Sequence, residues 1–221
     1  MPPPLSSIEP FDDDSAEPAV HGFVHRPSGP PERALVLAHG AGSDCDAPIL
    51  VALATAFARA GFTVLRCDLP FRQARSVGPP SPATAVRDRE GLRRAVHALR
   101  PFVTGTISLG GHSYGGRQAS VLVADDPALV GALLLLSYPL HPPRRPNQLR
   151  TLHFGSLRTP TLFVHGTRDP FGSVAELNEA RRSIAGHTAL VTVEGAGHDL
   201  MRGGGNLPVA TIVRAFGDLR P

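Results

Sequence analysis

Lysine is absent from this chain of 221 residues: all 22 of its basic side chains are arginine. A phosphate-cradling P-loop, a lysine Schiff base and a Ser–Lys dyad are therefore excluded. Tryptophan is absent too, and aromatics make up only 5% of the chain. The arginines are scattered and no nucleic-acid-binding module is recognisable, so the formal charge of +3 is not read as affinity for nucleic acid. Two cysteines cannot make a disulfide framework. Cys45 and Cys67 follow neighbouring strand candidates and are read as reduced thiols of a cytoplasmic protein. The longest apolar run, Val130 to Leu136, is far too short to span a membrane. The stretch from Met1 to Leu5 has neither the cationic region nor the apolar core of a signal peptide. There is no H-E-x-x-H, no C-x-x-C and no carboxylate cluster suited to a metal. Gly40-x-Gly42 follows a strand candidate, but Cys45 stands where a dinucleotide fingerprint needs its third glycine. Neither a metal nor a cofactor is expected.

Against these absences one stretch stands out: Ile107-Ser108-Leu109-Gly110-Gly111-His112-Ser113-Tyr114-Gly115-Gly116-Arg117. It reads as a strand, a glycine-pinched turn carrying one serine, and the start of a helix, the G-x-S-x-G nucleophile elbow. In that arrangement an acid and a histidine follow the serine in chain order, each just past the end of a later strand. Thr161 to Gly166 is a short apolar strand leading to Asp169, and Ala189 to Val193 is another leading to His198. Carboxylates are missing altogether from Pro127 to Arg168, so no acid can follow the buried strand candidate at 131–137. His187 precedes its strand, and His21, His25 and His97 lie upstream of the serine. The predicted catalytic residues are Ser113, His198 as its base, and Asp169 as the group that orients the imidazole. The predicted oxyanion donors are the backbone N–H groups of Tyr114 and of Ala41 in the H-G-A-G loop after the strand at 34–39.

The rest of the chain alternates strands and helices, which predicts an α/β fold with a mostly parallel sheet of about seven strands covered on both faces. Residues 1–18, proline-rich with Asp12-Asp13-Asp14, are read as a tail, and 19–221 as a single domain. Helices are expected near 47–60 (ended by Gly61 in a left-handed conformation), 83–100, 114–124, 173–185 and 207–219. Between Tyr138 and Thr159, where hydrolases of this kind often insert a cap, there are only about twenty proline-rich residues. An open site with a small lid is predicted, with Gly40, Tyr114, Tyr138, Leu140, His141 and Phe171 as pocket-lining candidates. Arg72, Arg75, Arg144 and Arg145 are placed at its rim, either as solvated surface or as attraction for an anionic ester.

The segments Leu37-Ala38-His39-Gly40-Ala41-Gly42, Gly111 to Arg117, Ser137-Tyr138-Pro139-Leu140-His141-Pro142-Pro143, Phe163 to Gly172 and Gly195-Ala196-Gly197-His198 resemble the small, cap-less α/β-hydrolases related to dienelactone hydrolases. More closely they resemble the branch that includes a subunit of the eukaryotic nonspecific-lethal chromatin complex and a testis-expressed protein. The resemblance implies an α/β-hydrolase fold and serine hydrolase chemistry on a small acyl substrate. Two departures bear on substrate: dienelactone hydrolases proper use a cysteine where this chain has Ser113, and the branch commonly has Met where this chain has Tyr114. A serine esterase or thioesterase is the leading expectation. A hydrolase-fold scaffold and an acyl transferase or perhydrolase are its alternatives, and a protein partner is not indicated by the residues.

Overall fold

In the computed structural model, which describes residues 5–201 and 207–219, the apolar runs become strands buried on both faces. Leu133–Leu136 (β6) shows why. Its odd-numbered leucines pack with Val36, Leu109 and Phe163 on one side, and its even-numbered ones with Leu35, Leu37 and Val164 on the other. A strand with two dry faces needs helices on both. The helices Ala85–Leu99 (α3) and Tyr114–Asp125 (α4) cover the first face, and Pro48–Arg59 (α1) and Val209–Gly217 (α6) the second. α1 ends where the sequence predicts, with Gly61 at φ +92° just beyond it.

The sheet has eight strands in the order β1-β2-β4-β3-β5-β6-β7-β8. The other members are Leu5–Asp13 (β1), Val20–Pro27 (β2), Arg33–Ala38 (β3), Phe62–Cys67 (β4), Thr106–His112 (β5), Thr161–Gly166 (β7) and Thr188–Val193 (β8). β1 and β2 run antiparallel at one edge, and from β4 onward neighbours are parallel. The tail expected over 1–18 is corrected: residues 5–13 are an edge strand, and residues 1–4 lie outside the described residues. An edge position tolerates Pro10, which cannot donate to a ladder on both sides. The acidic run is partnered rather than loose. Asp13 pairs with Arg94 at 3.3 Å, Asp14 with His21 at 2.8 Å, and Phe11 packs edge-on against Phe102 at 6.2 Å between ring centres.

Two short helices are added to the predicted set or trimmed from it. Pro70–Ala74 (α2) was not anticipated, and the helix expected over 173–185 closes at Val174–Arg181 (α5). The 137–160 segment holds only the 3-10 turn Phe154–Ser156, so there is no large cap. No helix of the described residues is long and apolar enough to cross a membrane.

β3 is the switch point, because the chain leaves it toward β4 on one side and finds β5 on the other. Ala38 pairs with Gly111 at the ends of these two strands, so the loops that follow diverge and open a crevice. Three pairings further along, Gly166 lies beside Val193, and the loops after β7 and β8 emerge together on the same rim.

Candidate active site

The crevice is built around Ser113, which has φ 51° and ψ −110°, a conformation L-residues rarely adopt. The surroundings hold it there. Its N–H donates to the carbonyl of Leu136 at 2.8 Å, and α4 starts immediately after it. Strand and helix pass so closely that a Cβ on Gly115 would lie 2.5 Å from the His39 carbonyl oxygen. The Ser113 hydroxyl is thereby presented at the tip of β5, with the N–H of Tyr114 as the first amide of α4, lacking a carbonyl partner within the helix.

The structure brings His198 and Asp169 to that hydroxyl. His198 Nε2 lies 2.7 Å from Ser113 Oγ, and its Nδ1 lies 2.8 and 3.0 Å from the two Asp169 oxygens. A carboxylate accepts, so Nδ1 carries the proton and Nε2 presents its lone pair to the serine. Asp169 is buried, and its Oδ1 also accepts the Phe171 N–H at 2.8 Å. The Phe171 ring lies over the His198 imidazole with 4.1 Å between centres. His165 Nε2 donates to the Gly172 carbonyl at 2.7 Å, and the capping box between Ser173 and Glu176 starts α5 directly afterwards. The loop carrying Asp169 is fixed at both ends.

His112, which the sequence did not single out, fastens the third loop. Its Nε2 donates to the His198 carbonyl at 2.9 Å, and burial pushes its pKa down, so the ring is neutral. Gly40 faces the other ring nitrogen so closely that a Cβ there would stand 2.9 Å from Nδ1. His39 is likewise buried and, chiefly for that reason, has a lowered pKa. The Leu69 N–H donates to its Nε2 at 3.0 Å, so its Nδ1 donates to the Gly40 carbonyl at 2.8 Å. The loop that carries Ala41 is anchored from both of its neighbours.

Gly40, Ala41, Ser113 and Phe171 line a cavity of about 510 Å³, completed by apolar Pro48, Ile49 and Met201 and by polar Ser43 and Asp199. Three of the predicted pocket residues, Tyr138, Leu140 and His141, are elsewhere. Tyr138 is fully buried among Phe154 and Phe163, and its hydroxyl donates to the Arg150 carbonyl at 2.6 Å. Its ring completes the core and its hydroxyl ties down the 139–150 loop. His141 is also buried; its N–H donates to the Phe171 carbonyl at 3.0 Å and its Nδ1 to that of Pro142 at 2.8 Å, so it backs Phe171 from behind. Leu140 is buried against Gly172. Arg72 is not a rim residue but a buried brace under the Ala41 loop, while Arg75, Arg144 and Arg145 are exposed and do not line this cavity. Among the described residues, no three His, Cys, Asp or Glu side chains group as metal ligands.

The sequence matches the family model described as "Alpha/beta hydrolase domain" over residues 31–204, most of the chain. The chain belongs to the alpha/beta hydrolase family. The fold of this hydrolase domain is shared with a dienelactone hydrolase from Anabaena variabilis, at 20% identity and a TM-score of 0.73 over 95% of this chain and 94% of that one. It is shared with an alpha-beta serine hydrolase homologue from Coxiella burnetii, at 18% identity and 0.74 over 94% and 96%. A lidless α/β serine hydrolase from Xanthomonas campestris matches at 16% identity and 0.66 over 98% and 94%. The absence of a cap in this hydrolase domain is thus in keeping with a solved lidless relative.

Proposed function

We propose that the protein is a serine hydrolase of carboxylic esters or thioesters with small acyl groups. The observation that carries this reading is the hydrogen-bonded line from Ser113 through His198 to Asp169, its hydroxyl end opening into the cavity beside Ala41. In this reading His198 Nε2 takes the Ser113 proton as Oγ adds to the acyl carbon. The N–H groups of Tyr114 and Ala41 receive the developing oxyanion, each worth about 3–4 kcal/mol where such donors have been removed. His198 then hands its proton to the departing alcohol or thiol, leaving an ester on Ser113. Water, deprotonated by the same imidazole, adds to that ester; the carboxylic acid leaves and Ser113 regains its proton. Asp169 holds the tautomer and stabilises the imidazolium, without taking the proton.

The close resemblance of the Ser137–Pro143 and Phe163–Gly172 strings supports assignment to the cap-less branch. A reducing cytoplasm is the compartment we assign. Cys45 and Cys67 are buried and unpaired, and burial pushes the Cys45 thiol up to about 12, so it is an inert structural thiol.

A fluorophosphonate probe tests the reading without knowledge of the substrate. Wild type should be labelled at one residue and Ser113→Ala should not. A folded wild type that resists the probe would overturn the hydrolase reading in favour of a scaffold.

A further inference from the structure

A second cleft, of about 380 Å³, opens on the opposite side of Ser113 from the apolar cavity. The two share Ala41, Ser113 and Phe171, so one extended substrate can straddle the hydroxyl. Both are lined mainly by apolar groups, and they differ in charge. The cavity on the α1 side has Pro48, Ile49 and Met201 with the carboxylate of Asp199 in its wall, whereas the second cleft sets Arg117 from α4 and Arg150 from the 139–150 loop among Pro79, Pro82 and Pro139.

Neither arginine has a carboxylate partner among the described residues, although the chain's other arginines often do: Arg26, Arg66, Arg87, Arg93, Arg94 and Arg182 are all ion-paired. Arg117 Nε is buried with no hydrogen-bond partner. The Arg150 guanidinium makes only a long contact of 3.4 Å from Nη1 to the Pro139 carbonyl. Both side chains are half-buried, and the chain offers no acid anywhere from Pro127 to Arg168. Two cations placed together in a cleft, unpaired, are an unfavourable arrangement that a bound anion relieves. The pKa of Arg150 is pulled down, first by burial and then by Arg117, as expected of two like charges in one cleft. The backbone that carries them is also held in place. Tyr138 ties the Arg150 carbonyl, and the Arg150 N–H donates to the Leu140 carbonyl at 2.8 Å. Arg117 rides on the first turns of α4, the helix that Ser113 itself opens.

We infer that Arg117 and Arg150 form the subsite for an anionic arm of the substrate, carboxylate or phosphate, while the apolar cavity across Ser113 receives its uncharged arm. This rests on the hydrolase reading and narrows it to esters or thioesters that carry an oxyanion a few bonds from the scissile carbonyl. It also moves the anion-binding role from the four rim arginines considered from sequence to two residues that were not among them.

The test uses two matched pairs of ligands: p-nitrophenyl hemiglutarate against p-nitrophenyl pentanoate, and p-nitrophenyl 4-(phosphonooxy)butanoate against p-nitrophenyl 4-methoxybutanoate. Binding to Ser113→Ala protein, measured by calorimetry, separates recognition from turnover. The anionic member of at least one pair should bind about tenfold or more tightly than its neutral partner, as for a charge-assisted contact. Which pair shows it distinguishes carboxylate from phosphate. Adding Arg117→Gln or Arg150→Gln should each cut that preference about tenfold, and the exposed control Arg145→Gln should leave it as it was. Equal binding within both pairs, or a preference that survives both cleft substitutions, would overturn the subsite. Fluorophosphonate labelling of the proteins that keep Ser113 reports the hydrolase reading separately, since the probe needs the serine and not the arginines.

Discussion

The Arg72 guanidinium donates through Nη2 to the carbonyl oxygen of Ala41 at 3.1 Å, directly behind the N–H assigned to the oxyanion. The same side chain reaches the carbonyls of Ser43 at 2.9 Å, and of Arg75 and Gly78 at 3.2 Å each. One arginine thus ties the loop after β3 to the loop after α2. Arg72→Gln cannot span these acceptors, and Lys lacks the planar fork. Either change should lower kcat about ten- to a hundredfold by letting the Ala41 amide drift from the oxyanion. Steady-state kinetics checks this. A rise in KM with kcat unmoved would make Arg72 a substrate contact instead.

Asp169→Asn keeps the size of the side chain but favours the wrong imidazole tautomer. Turnover should fall by about three to four powers of ten, with the circular dichroism spectrum retained. Unchanged turnover would remove Asp169 from the mechanism.

Tyr114 carries a second burden besides its amide. Its hydroxyl donates to Oδ2 of the fully buried Asp88 at 2.6 Å, and the Phe71 N–H donates to Oδ1 at 2.9 Å. Tyr114→Phe removes a donor from a buried carboxylate, a loss of about 1–3 kcal/mol. Thermal unfolding should drop by several degrees at neutral pH. Burial, followed by Asp88, pushes the Tyr114 pKa well above its usual value. A raised acid pKa stabilises the fold below the unfolded value of about 10 and is lost as pH climbs through the folded one. The gap between wild type and variant should therefore narrow in strongly alkaline buffer.

His25 predicts the acid side. Its Nε2 accepts from Arg66 Nε at 2.8 Å, and burial, with Arg66 adding, lowers its pKa to about 4. The unfolded chain binds a proton near 6.5 that the folded one refuses, so stability is full above 6.5 and declines as pH falls toward 4. Denaturant unfolding across that window should show a slope shallower by about one proton in His25→Gln, whose amide oxygen can still accept from Arg66. His153, lowered to about 4 mainly by burial, keeps its share of the slope in both proteins.

The parts of this molecule that were legible in the sequence are those written locally. β6 is four leucines and β3 is apolar almost throughout, because strands with two dry faces have no polar side to alternate. Ser113, Asp169 and His198 were legible because each follows such a strand and their order admits one arrangement. β1 was not, since Pro10 and three aspartates read as a tail unless the partners, Arg94 on α3 and His21 on β2, are already in place. Tyr138 looked like a pocket residue because it sits two positions beyond a buried strand, yet the core behind it needed a ring. Buried Arg72 and the unpaired Arg117 have no local mark that separates them from solvated arginines. What distinguishes them is which carbonyls surround the one and which carboxylates are missing around the other, and both are long-range facts.

The bare stretch between β6 and β7 has a consequence for the fate of a bound acyl group. With no cap to shut, the carbon held on Ser113 would stay in contact with bulk solvent throughout its lifetime. Water would then be at hand to accept it at every moment, with no closure needed to admit it. Residues 137–160 contribute one side of a cleft but no lid over it, so water keeps an open route to the group wherever it is held.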